Sequence, residues 1–452
     1  MLPTWCPNLK PVTSKNGRPK TASGHHTAKR IITARCAMRC RFQYLGGSRA
    51  TNACPHPTQG ESCMRKNSSV ILAAVSCAAT AQLLAAEPQH ETYRVTILSD
   101  AGAQGRSIDD LGLIKGSYTL ANQTVHAALW AFGHQIDLGT LGTGAGLASR
   151  VLWPVKNNLG LVSGISLTDA PDPNQEGWSC GFFLNNPNFN TCLGFLWEPR
   201  TGKMRPLPTL GGTNGFATGT NNLGETVGWA ENTVHDPTCI LPQRLQFKPV
   251  VWGPGRDQIH ELPLVAGDTS GAATALNDRG QIVGISGSCG FAVGGPTARH
   301  AALWDNGTLT VIVNPNGAPY WNTPMMINER GDVVGFAGAP NDPDGNLTPP
   351  FIWTKEDGFK FLPMPKGDVA GVATSINELR QAVGYSNDAS GNLHPLLWRQ
   401  GRVTNLNDLI EPGSALTGPI LRAFDINDRG EITGRSATGQ AFVATPIGGP
   451  DD

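Results

Sequence analysis

From about residue 93 to residue 447, short apolar runs alternate with turns rich in Asn, Asp and Gly, and one order of run and turn returns seven times. The clearest copy reads Asn277-Asp278-Arg279-Gly280-Gln281-Ile282-Val283-Gly284. Residues 157–164, 221–228, 328–335 and 427–434 repeat it. Residues 377–384 carry Arg380 in place of the first Gly, and residues 109–116 open on Asp109. The copies start 48, 64, 56, 51, 49 and 50 residues apart. Each is followed by an apolar run closing on Trp130, Trp197, Trp252, Trp304, Trp353 or Trp398, and on Phe442 in the seventh. A turn and a short segment ending in Leu come next, as in residues 135–142.

This pattern predicts one four-stranded meander per repeat. Apolar pairs such as Ala275-Leu276 end strand one, N-x-x-G is a tight turn with Asn first and Gly last, and Ile-Val-Gly is strand two. The Trp run is strand three and the Leu-closed segment strand four. A single such sheet cannot bury both faces, whereas sheets stacked radially cover one another. The seventh repeat stops at Ile447, after strand three. Tyr93-Arg94-Val95-Thr96-Ile97-Leu98 precedes the first strand one and is free to supply the missing fourth. The expected fold is therefore all-β: a seven-bladed β-propeller of four-stranded antiparallel blades over residues 93–447, its ring closed by an N-terminal strand that hides open edges.

Composition agrees, since 55 Gly and 34 Pro suit many tight turns and only 15% of residues are charged. The zero net charge hides two unlike parts. Residues 1–86 hold 12 Lys/Arg and one acid, leaving 23 Lys/Arg against 34 Asp/Glu in the rest, a net of −11. An acidic body is a poor partner for nucleic acid or anionic lipid. At Met64 a three-part export signal begins. Arg65 and Lys66 are its basic start, residues 70–81 its small and apolar middle, and Ala79-Thr80-Ala81 or Leu84-Ala85-Ala86 its cleavage site. The apolar run is too short for a membrane span. Residues 64–86 are thus read as a signal peptide, residues 1–63 as an unstructured extension ahead of the true start, and the mature protein as secreted or periplasmic.

The repeat resembles the HAF repeat family of predicted extracellular bacterial proteins. Residues 273–286, ATALNDRGQIVGIS, and His300-Ala301-Ala302-Leu303-Trp304 carry the likeness, which recurs across about residues 93–445. The resemblance implies export and a repeat architecture, and no catalytic residues or activity. Arg380 and Phe442 depart from the pattern and put only local turn or packing detail in question.

Candidate chemistry is sparse. His126, His300 and His394 share one repeat position, so a ring spreads them apart. The carboxylates of N-D-R-G and N-E-R-G read as solvated turn residues, and the six Trp residues as inter-blade core. Residues 342–346, DPDGN, resemble part of a calcium loop but lack its bidentate Glu. No catalytic, metal-binding or cofactor motif is present. Cys180 and Cys192 lie in one insertion and are expected to pair, and a bridge between Cys239 and Cys289 would join adjacent repeats. The loops between strands two and three are long in repeats two (about 166–193), three (230–247) and four (286–299), and short near Thr438 in repeat seven. They form a raised lip on one face, the expected place of binding. The first carries Trp178, Phe182, Phe183 and Phe189 with Asn185, Asn186, Asn188 and Asn190, a mixture suited to a glycan or a protein partner. The expected function is non-enzymatic binding or scaffolding in the envelope or extracellular space. The alternative is a carbohydrate-active propeller hydrolase or lyase.

Overall fold

A computed structural model describes residues 92–448, apart from 177, 256, 291–294, 296, 318–320 and 340–346. The export segment and the 342–346 loop lie outside these residues. Seven antiparallel four-stranded sheets follow one another along the chain, and no helix among the described residues is long and apolar enough to cross a membrane. Blade 1 comprises Gln104–Ile108, Ile114–Thr119, Val125–Ala131 and His134–Asp137. Blades 2 to 6 begin at Ser149, Gly215, Ser270, Asn322 and Asp368 and repeat its order. Blade 7 takes Ile420–Ile426, Ile432–Ser436 and Ala441–Ile447 from the C-terminus, and its outer strand is Thr92–Ser99, paired from Thr92↔Ile447 to Ser99↔Ala441. The closing strand is thus where the missing fourth strand of repeat seven placed it.

The two Gly residues of the repeat serve different needs. The first has positive φ wherever it is Gly (Gly280, 74°), and Arg380 is held at 59° in its place. A bidentate pair to Asp332 of blade 5, at 2.7 and 2.9 Å, offsets that strain. The second Gly sits where strand one bulges toward strand two. A Cβ on Gly228 would lie 1.9 Å from the Phe216 carbonyl oxygen, and the other six repeats give 1.9–2.2 Å for the equivalent pair.

The core lies in the seams between blades. Trp130, Trp197, Trp252, Trp304 and Trp398 are all at most 5% exposed. The indoles of Trp252, Trp304 and Trp398 donate to the carbonyls of Pro208, Pro263 and Pro363 on the preceding blade. This is inter-blade core, as the repeat position indicated; the sixth, Trp353, is only partly buried and packs against the edge of that core.

At the N-x-x-G end the turns lock together. The Asn277 side-chain amide donates to the Asn328 carbonyl, Asn328 to Asn377, Asn377 to Asn427, and Asn427 to Asp109. Asp109 has no amide to pass on. Lys115, fully buried beside it, donates instead to Asp109 Oδ2 (3.1 Å) and to the Val155 and Asn157 carbonyls (3.0 and 2.9 Å). A second circle runs through the next residue of each turn. The amide N–H of Asp110 donates to the Asn158 side chain, and so on through Asn222, Asp278, Glu329, Glu378 and Asp428 back to Asp110. The turn carboxylates, expected to be solvated, are therefore acceptors that join blades. Burial raises Glu329 and Glu378 above the usual carboxylate range.

Candidate binding face

The loops between strands two and three rise from the opposite end of the ring. Strand two is long in blades 2 and 3, Val162–Pro171 and Thr226–His235, which lifts their hairpins above the face. Cys180–Cys192 pins the short helix Trp178–Phe183 to strand three of blade 2, and Cys239–Cys289 ties blade 3 to blade 4. Both disulfides join the cysteines the sequence offered as pairs. Blade 5 adds a connection at 338–349, as long as that of blade 4 and not singled out from the sequence. The connections of blades 1, 6 and 7 are short: 120–124, 389–392 and 437–440. Among the described residues the rim is therefore raised over blades 2 and 3 and low over 6, 7 and 1, while the connections of blades 4 and 5 are long in sequence.

The lip residues divide. Phe182, Asn185, Asn188 and Phe189 are exposed. Phe183 packs edge-on against Trp153 and Phe216, with ring centroids 6.1 and 5.2 Å apart, so it anchors the loop to the core shared by blades 2 and 3. Asn186 and Asn190 brace the loop by hydrogen bonds to each other and to the Thr168 carbonyl. The Trp178 side chain lies outside those described. The three repeat histidines each hold one Asp through Nδ1: His126 with Asp137, His300 with Asp268 and His394 with Asp368, at 2.8–2.9 Å in three different blades.

Under the lip lies a buried carboxylate group that the sequence reading missed. Glu176, from the blade 2 loop, accepts the backbone N–H groups of Arg244 (2.8 Å) and Leu245 (2.5 Å) in the blade 3 loop. Glu231 accepts from Asn214 N (2.8 Å) and Gln243 Nε2 (2.9 Å). Both side chains are fully buried. Burial first, and Glu176 second, raise Glu231 from its ordinary value to about 7.

The low side of the rim has a different character. The glycine contacts align one position of strand one around the ring: Gln104, Arg150, Phe216, Ala272, Thr323, Val372 and Arg422 in blades 1 to 7. Two residues on, the bulge position holds Arg106, Thr218, Thr274, Met325, Thr374 and Phe424 in all but blade 2. Most blades use small or apolar residues here, while blades 7, 1 and 2 place Arg422, Arg106 and Arg150. Arg106 lies 3.9 Å over the Phe424 ring and Arg422 4.9 Å over Tyr385. Burial, with Arg422, Arg150 and Arg435 in electrostatic range, pushes Arg106 well below the usual arginine value, though it stays charged at neutral pH. Its guanidinium donates to two neutral acceptors, Gln104 Oε1 (3.0 Å) and the Leu152 carbonyl (3.4 Å), and its buried Nε makes no hydrogen bond.

Fold and face together define a disulfide-braced seven-bladed propeller with one asymmetric, loop-built end. No family model and no curated protein matches the chain. Among solved structures it is similar to an inactive variant of virginiamycin B lyase from Staphylococcus aureus with quinupristin. That likeness has 12% identity over 78% of this chain and 100% of that one, with a TM-score of 0.42. It is also similar to puromycin hydrolase (13% identity, 77% of this chain, TM-score 0.44), of which it spans 52%. A third likeness is to a variant of the Aleuria aurantia lectin bound to a fucosylated GlcNAc (7% identity, 72% and 98% covered, TM-score 0.33). Likenesses this distant carry no function across.

Proposed function

We propose that this is an exported, non-enzymatic binding protein of HAF-repeat type, which takes an extracellular glycan at the loop-built end of the ring. The observation that carries the reading is the asymmetry of that end: long hairpins over blades 2 and 3, braced by two disulfides of which one reaches blade 4, stand against short connections over blades 6, 7 and 1. Loops on a rigid scaffold are where binding concentrates, and exposed aromatic faces beside amide groups suit sugar rings and hydroxyls. Two disulfides fit an oxidising compartment. Binding is favoured over hydrolysis or elimination by the state of the carboxylates under the lip: Glu176 and Glu231 are buried and held by amide donors. The test is a glycan array on the secreted protein, followed by titration of the hits. Phe182→Ala/Phe189→Ala should fold normally and bind at least about tenfold more weakly. Unchanged affinity refutes the lip as the site, and release of new reducing ends from a bound glycan refutes the non-enzymatic reading.

A further inference from the structure

We propose that Glu176 and Glu231 form a proton-operated latch between the loops of blades 2 and 3, closed in acid and released as pH rises through neutrality. The inference goes beyond the binding role proposed above and stands whether or not the lip takes a glycan. Its basis is a gathering of three buried carboxylates, Asp172, Glu176 and Glu231, around Thr213 and Asn214 at the entry to blade 3. The Thr213 hydroxyl lies 3.2 Å from Asp172 Oδ1, 3.5 Å from Glu176 Oε2 and 3.2 Å from Glu231 Oε2, yet it has one proton to donate. The Asn214 amide is divided between Asp172 Oδ2 (3.1 Å) and Glu231 Oε2 (3.2 Å). Gln243 Nε2 donates to Glu231 Oε1 (2.9 Å) and the Leu245 carbonyl (2.8 Å), and lies 3.5 Å from Glu176 Oε1. Amides solvate the group, but no cation neutralises it: among the described residues no Lys, Arg or His makes an ion pair with any of the three. Arg244 offers its backbone N–H and keeps its side chain exposed. Lys248, beside the Phe247 that pairs with Glu231, turns to the Thr269 carbonyl and Glu261. Asp236 is taken up by Thr238 and Gln246, and Cys180, against the Asn214 side chain, is in its disulfide.

Adjacent buried carboxylates without a cation cannot all stay ionised cheaply, and a proton on Glu231 relieves them. Above about pH 7 that proton leaves, and Glu176 and Glu231 repel across Gln243. The weaker side gives way. Glu231 is fixed in the strand Thr226–His235, hydrogen-bonded within the blade 3 sheet. Glu176 stands on a turn outside any strand. Asp172 accepts the N–H groups of Asn174 (3.0 Å) and Glu176 (2.9 Å), so residues 172–176 move as one small unit. That unit crosses to blade 3 through the Arg244 and Leu245 N–H groups, and these are the bonds that part. The Cys180–Cys192 disulfide holds the helix that follows, which keeps the release local and reversible. The release reaches the exposed lip too, because the Asp172 N–H donates to the Phe189 carbonyl at 2.7 Å.

The experiment is amide hydrogen exchange of the ligand-free protein at pH 6 and pH 8, expressed as protection factors so that the intrinsic pH dependence cancels. The Arg244 and Leu245 amides should lose about tenfold in protection over this range, the linkage of one proton released near pH 7. Their exchange at pH 8 should be insensitive to low urea, the mark of a local opening, while that of Val283 in blade 4 quickens with it. Glu231→Gln should keep both amides protected at either pH, and Glu176→Ala should leave both poorly protected at either pH. Equal protection of the wild type at the two pH values overturns the latch. So does a loss that persists in Glu231→Gln, or one that follows urea as Val283 does, since the opening is then global. If this pattern holds and no glycan binds, the latch stands and the proposed ligand falls.

Discussion

Asp109 is the one first turn residue without a side-chain amide to pass on, and Lys115 is the repair. In every other repeat the residue at the Lys115 position is Ser, Val or Thr (Val283 and Val334 are examples), and the turn opens on Asn. Lys115→Val alone would remove three hydrogen bonds of 2.9–3.1 Å and leave the Asp109 side chain, 1% exposed, without its cation. Breaking a buried ion pair from one side costs about 3–5 kcal/mol. For a domain of this size that is a fall in unfolding temperature of roughly 5–10 °C. Asp109→Asn/Lys115→Val rebuilds the arrangement of the other seams, where the amide reaches the next carbonyl at 2.9–3.2 Å. It should return to within about 1 kcal/mol of wild type, so the two positions should couple by more than about 2 kcal/mol in a double-mutant cycle. Denaturant unfolding of the two single variants and the double variant measures this. Additive losses would show that Lys115 is not standing in for the missing amide.

Two further outcomes are expected. Glu231, raised to about 7, keeps a proton in the folded state between about pH 4.5 and 7 that the unfolded chain has released. The resulting stabilisation of about 3 kcal/mol is complete below about pH 4.5 and lost as pH rises through 7. Glu231→Gln should therefore be increasingly more stable than wild type from pH 5 to 8, and parallel denaturation profiles would refute this. Starting the mature protein at Ser99 removes Tyr93 and Val95, 0% and 5% exposed, and uncovers the edge of Ala441–Ile447. Burial alone sets the loss at about 3–5 kcal/mol. Differential scanning fluorimetry should show lower stability and size-exclusion chromatography should show self-association.

The ring, its closing strand and both disulfides were legible because each repeat restates the same period, and the one incomplete repeat names its partner. Three of the four long connections were legible as loop length, and that of blade 5 was passed over. What escaped was everything that depends on side-chain direction. Asn277 reads as a turn residue, and only the backbone shows its amide crossing to the next blade. The arginines of blades 7, 1 and 2 were missed for a different reason. Arg106 and Arg422 stand three and five residues before the repeat's first residue, and two extra residues in blade 2 shift Arg150 out of column, so no single alignment of the repeats displays all three. Comparing the positions three and five before each turn would have exposed two of them. Glu176 and Glu231 come from different repeats and carry no shared motif, so nothing local announced that they meet.

The double circle of hydrogen bonds at the turn end bears on how such a molecule comes apart. A stack of repeats with two ends frays from them, because each terminal unit has only one neighbour to lose. Here every unit has two, and the seam between the last blade and the first is stitched by the same bonds as the rest. Opening any one seam releases its two linked blades from constraint at once. The chain has a beginning and an end, but the folded object does not, and it should melt as a single unit or not at all.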